Sequence, residues 1–150
     1  SLPFGLDNKD WEMGWENKTE VVYICEFVPK GQKIESWKEL VTLQFYPKLQ
    51  NCSAQEFMKA FLKRLHKDEP KVKIRPIASS FDNAVVEWNV SNSKHNPDQY
   101  EVDRVVKGEE GMHMIHYAVK TSDWSESERT KWLNFLNTAK VKKASVPTAI

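Results

Sequence analysis

With 150 residues, 40% apolar and 29% charged, the chain has material for one cored domain and is not composed like a disordered one. Its 22 Lys and Arg against 21 Asp and Glu leave a net charge of +1. That is not the basic excess with which a nucleic-acid binder displaces counterions, so no nucleic-acid partner is expected. No apolar run reaches the roughly 20 residues of a membrane-spanning helix.

The chain starts Ser1-Leu2 without an initiator Met, so a processed or engineered product is expected, compatible with a removed signal peptide. The N-x-[ST] tripeptides at Asn17, Asn51 and Asn89 matter only in a eukaryotic secretory pathway. Cys25 and Cys52 lack C-x-x-C spacing, and buried thiols are expected rather than a disulfide.

Residues 1–18 read as an N-terminal arm with a first strand near Trp11 to Trp15, and 19–141 as a single domain. Residues 142–150 read as a flexible tail. Glu20 to Val28 is β-branched and aromatic with apolar residues on both alternating faces, so it reads as a strand covered on both sides. In "KIESWKELVTLQFY", residues 33–46, the apolar period changes. Ile34, Trp37 and Leu40 or Val41 have helical spacing, whereas Val41, Leu43 and Phe45 alternate as in a strand. One helical turn should therefore feed a strand that Pro47 ends.

Ser53 and Glu56 form a capping-box pair ahead of the apolar stripe Ala54, Phe57, Met58, Phe61, Leu62 and Leu65, which predicts a helix to His66. Four strands should follow in "KVKIRPIAS", "NAVVEWNVS", "QYEVDRVVK" and "MHMIHYAVK", separated by turn compositions. A second Ser-x-x-Glu pair, Ser125 and Glu128, opens a closing helix with stripe Trp132, Phe135, Leu136 and Ala139. The expected fold class is α+β: an antiparallel sheet of about six strands, for which the two-sided apolar strand at 20–28 asks for helices on both faces, an α/β/α sandwich.

Chemistry-bearing patterns are sparse. His113 and His116 are an odd spacing apart on one strand, so they face opposite ways and cannot share an ion. With His66 and His95 they read as surface or boundary histidines, and no metal or cofactor is expected. Glu101 with Asp103, and Glu109 with Glu110, read as solvated charge. There is no G-x-S-x-G, G-x-G-x-x-G or P-loop. The basic residues Lys59, Lys63, Arg64, Lys67, Lys71, Lys73 and Arg75 read as a solubilising face. Trp88 and Trp132 lie on core stripes, whereas Trp11, Trp15 and Trp124 lie near element ends and are candidates for exposure.

Three segments carry a resemblance: "EFVPKGQKIESWKELVTLQ" (26–44), "GEEGMHMIHYAVK" (108–120) and "SESERTKWLNFLNTAKV" (125–141). Their element order and motifs resemble small exported bacterial proteins. The pattern is similar to the PsbP-like fold group, which holds the photosystem II extrinsic subunit PsbP and the Ran-binding factor Mog. The resemblance implies a central antiparallel sheet between helices, export to the periplasm or beyond, and function by docking. It supplies no catalytic residues.

The expected function is therefore a non-enzymatic bacterial protein, a monomer, that binds an unidentified protein or small ligand in a cleft beside the Glu35 to Thr42 turn. Glu35, Trp37 and Lys38 are its candidate binding residues. In the competing reading, which carries more weight, Trp37 plugs the gap between the sheet edge and the first long helix. Alternatives are a small hydrolase or acid/base enzyme with a Glu/Asp/His site, or a cytoplasmic docking module.

Overall fold

The runs with period-two patterning pair into one antiparallel sheet. A computed structural model describes residues 10–121 and 124–138. Strands β1 (Trp11–Lys18), β2 (Tyr23–Pro29), β3 (Glu39–Tyr46), β4 (Lys73–Ser79), β5 (Asn83–Val90), β6 (Gln99–Lys107) and β7 (Met112–Lys120) lie in the order β1-β2-β3-β7-β6-β5-β4. With helices α1 (Ala54–Asp68) and α2 (Glu126–Thr138) they make an α+β fold. The sheet has seven strands where about six were expected, because Trp11–Lys18 pairs along the whole of β2.

β2 starts later than the apolar run suggests. Thr19 Oγ1 accepts hydrogen bonds of 3.1 Å from the backbone N–H groups of both Val21 and Val22, folding 19–22 into a turn and leaving Val21 exposed. The period change is realised as one 3-10 turn, Ile34–Ser36, before β3. Leu40 and Val41 belong to the strand and not to the turn.

Both edge strands are irregular. β1 shifts register between Met13 and Trp15, where Gly14 lies so close to Ile34 that a Cβ would meet its side chain at 3.3 Å. β4 carries Pro76 and a shift between Pro76 and Ala78. Such breaks blunt an edge against pairing with another chain.

Helix α1 is opened by the full capping box: Ser53 Oγ accepts from the Glu56 N–H at 3.1 Å, and Glu56 Oε2 accepts from the Ser53 N–H at 3.3 Å. It links β3 to the far edge strand β4 and packs chiefly on β5 and β6. Its Ala54, Met58 and Leu65 cluster with Ala84, Val86, Trp88 and Val90 of β5, and with Val105, Met112 and Met114. Val85, which alternates with those β5 residues, clusters instead with Val102 and Leu136 of α2. Trp132 of α2 lies over Trp11, Phe27, Val41, Tyr117 and Val119. Arg129 holds α2 to β5 through two bonds to the Glu87 carboxylate, 2.7 and 3.0 Å long.

Trp88 and Trp132 are buried as their stripes require, and Trp15 is exposed. Trp11 is not: it is buried edge-on against Trp132, because β1 continues the sheet under α2. Cys25 and Cys52 are free thiols, Cys25 packed with the Trp132 cluster and Cys52 with the α1 cluster. Ala139 and the tail at 142–150 lie outside the described residues.

Candidate functional site

Two neighbouring strands bring together three titratable side chains that the sequence separates by up to fifteen positions. In the β6–β7 register Asp103 lies directly opposite His116, and Glu101 is two residues along β6 on the same face. His116 Nδ1 stands 2.8 Å from Asp103 Oδ1 and 3.1 Å from Glu101 Oε1. All three residues are buried, Asp103 with 0% of its surface exposed.

The other atoms of these groups are held from neighbouring elements. Asp103 Oδ2 accepts a 2.8 Å bond from the Trp88 indole N–H on β5. His116 Nε2 lies 2.9 Å from Gln44 Oε1 on β3. The ring of Phe61, from α1, meets the imidazole at a centroid distance of 5.7 Å and 62° between planes. Each partner is placed by strand or helix periodicity, since Trp88 and Phe61 belong to the apolar set that packs α1 on the sheet.

Burial and mutual charge set the protonation of the group. Burial first, and then the Asp103 charge, push the Glu101 carboxyl up to about 8. Burial alone would lower His116, but the charges and hydrogen bonds of Asp103 and Glu101 outweigh it and raise the imidazole to about 10. With no cation bound, these shifts favour a protonated Glu101 and an imidazolium facing Asp103. Pairing and hydrogen bonding among the three groups are how ionisable side chains are tolerated in a core.

From this centre a polar row crosses the sheet. His116 pairs with Thr42, Thr42 with Glu26, and Glu26 with Trp15, so all four project from one face. Thr42, Gln44 and Glu26 are partly exposed, and Trp15 keeps 44% of its surface open. Half-burial raises the Glu26 carboxyl, an effect that the His116 charge opposes. The row therefore runs from a buried charged centre under α1 to an exposed indole on the edge strand.

These positions correct two expectations. Glu101 and Asp103 are not solvated charge, and His116 is not a surface or boundary histidine. β6 and β7 are interior strands with α1 over β6, so alternate residues on that face are buried whatever their polarity. The odd spacing of His113 and His116 does put them on opposite faces: His113 stacks on Phe45 at 4.6 Å. The signal for the centre was the E-x-D pattern of β6 taken together with His116, but it has meaning only once the register pairs 103 with 116.

The candidate residues Glu35, Trp37 and Lys38 lie at the β2–β3 connection and are not part of this centre. Glu35 and Lys38 are exposed. Trp37 is partly buried, with Lys120 Nζ 4.3 Å above its ring. Lys38 is fixed through its backbone, donating to Gln32 Oε1 at 2.9 Å and accepting from the Lys120 N–H at 3.1 Å. The basic residues from Lys59 to Arg75 are all exposed, as a solubilising face requires. A separate open cleft of about 460 Å³ lies between α1 and β4–β5, lined by Lys59, Leu62, Pro76 and Val86 among others, and none of Glu101, Asp103 or His116 lines it.

A protein-family model, that of an uncharacterised family, matches residues 3–146 of the chain. No curated protein and no solved structure matches it.

Proposed function

The chain belongs to that uncharacterised family, and we propose that it is a non-enzymatic binding protein. Its ligand surface would be the partly exposed polar row on β1–β3. The carrying observation is the register that aligns Trp15, Glu26, Thr42 and His116 across four strands. An exposed indole beside a carboxyl, a hydroxyl and an amide can stack on a ligand's apolar face while hydrogen-bonding its polar edge. Glu35, Trp37 and Lys38, beside the start of the strand that carries Thr42, extend this surface in the proposal, with a small ligand or a protein segment as partner.

The acid/base alternative has one feature in its favour, the buried His116–Asp103 pair. Against it, the imidazole nitrogen that would take a nucleophile's proton faces Gln44 Oε1 at 2.9 Å. An α/β/α sandwich of the PsbP-like kind is the layering we propose, supported by the alternation of β5 residues between the α1 and α2 clusters. Export to the periplasm or beyond rests on the resemblance alone.

Thermal-shift screening with sugars, short peptides and organic acids tests the binding reading. A stabilising ligand should lose its effect in Trp15→Ala and Thr42→Ala and keep it in Phe81→Ala. A ligand that stabilises all three variants alike, or that is consumed on incubation, would overturn it.

A further inference from the structure

We propose that Glu101 Oε1, Asp103 Oδ1 and His116 Nδ1 are ligands of one divalent first-row transition ion, with zinc as the reference case. The argument starts from the imidazole. Nδ1 has either one proton or one lone pair, yet two carboxylate oxygens converge on it, at 2.8 and 3.1 Å, and the three atoms lie within 4.8 Å of one another. One N–H can make one linear bond, so imidazole hydrogen bonding accounts for only one of these carboxylates. Ligand bonds of about 2.0–2.2 Å at tetrahedral angles place donor atoms roughly 3.4 Å apart, and the two imidazole–carboxylate separations, 2.8 and 3.1 Å, need open by only a few tenths of an ångström to admit the ion.

The surroundings of the trio fit the same assignment. A histidine that ligates through one ring nitrogen ordinarily donates the other N–H to an oxygen, and His116 Nε2 faces Gln44 Oε1. A ligating carboxylate is ordinarily held through its second oxygen, and Asp103 Oδ2 accepts from the Trp88 indole. With Nε2 protonated toward Gln44, the Nδ1 lone pair points at two carboxylates, and a cation between them turns repulsion into coordination. Two oxygens and one imidazole nitrogen suit a borderline ion such as zinc better than calcium, which prefers oxygen throughout. Among the described residues this is the one such group of three. The assignment does not depend on what occupies the polar row.

The competing account is a metal-free trio in which an imidazolium donates to Asp103 and a protonated Glu101 donates to the same carboxylate. Calorimetric titration of the chelator-stripped protein with zinc chloride separates the two. One zinc should bind per chain and raise the melting temperature. Glu101→Gln, of the same size, should weaken binding at least tenfold, Trp88→Phe about tenfold, and His113→Ala not at all. Cobalt(II) should bind in the same site and give a coordination spectrum that Glu101→Gln abolishes. Far-UV circular dichroism verifies that each variant is folded. No stoichiometric binding, or binding equal in folded Glu101→Gln and in the parent, would overturn the assignment.

Discussion

Asp103 and His116 face each other across the β6–β7 pair, carboxylate oxygen to imidazole nitrogen at 2.8 Å, beside a core built from Ala, Val, Leu, Met and Trp. Burial makes this contact consequential. A charge pair exposed on a sheet contributes little, whereas one removed from water is strongly destabilising when a partner is lost.

The Trp88 indole is the donor that completes Asp103. Trp88→Phe keeps most of the buried ring but strips Oδ2 of its bond, and should cost about 1–3 kcal/mol in unfolding free energy. Urea denaturation measures it. A loss within error of zero would mean that Asp103 is satisfied without the indole.

Gly111 packs its α-carbon against the backbone at the end of β3, where a Cβ would stand 2.2 Å from the Tyr46 carbonyl oxygen. Gly111→Ala should therefore destabilise by about 1–3 kcal/mol, since backbone must move to admit it. At Gly108 the added carbon would meet the movable His113 ring at 3.1 Å, so Gly108→Ala should cost less. Equal melting temperatures for the two variants would contradict this account of the hairpin.

Glu69 ends α1 and accepts from the Ser93 hydroxyl and, at 2.8 Å, from the Asn96 side-chain amide, tying the β5–β6 loop to the helix. The Ser93 bond, and then the Asn96 bond, lower its carboxyl. A lowered folded value means stabilisation that is present above the unfolded pKa of about 4.3 and is lost as pH falls through the folded value. In Glu69→Gln the melting temperature should fall less steeply with acidification than in the parent. Parallel curves would remove Glu69 from the acid response.

Trp37 is joined to β7 by Lys120. Trp37→Ala should lose about 0.5–1 kcal/mol from that cation–π contact, plus a share for the ring's buried area. Lys120→Met isolates the first contribution by chemical denaturation. If Trp37→Ala leaves stability untouched but abolishes ligand binding, the residue is a site residue and not a packing one.

Local signals in the chain were legible where they were self-contained. The Ser53–Glu56 cap, the α1 stripe, the change of period before β3 and the four closing strands all form from residues adjacent in sequence. The buried centre was not legible, because it depends on pairing. Glu101 and Asp103 look like a solvent-facing alternation until β6 is set between β5 and β7 under α1. Trp11 misleads for the same reason: an end-of-element position says nothing about the helix that later packs over it. Glu35, Trp37 and Lys38 stand out by composition, but they lie at a connection whose contacts are made through Gln32 and Lys120.

The most direct measurement is a fragment screen followed by 15N–1H NMR on the assigned protein, which locates binding whatever the natural ligand is. The account predicts that hits shift the amides of Trp15, Glu26, Thr42 and Gln44 together. Hits confined to the cleft between α1 and β4, with those four amides unmoved, would contradict it.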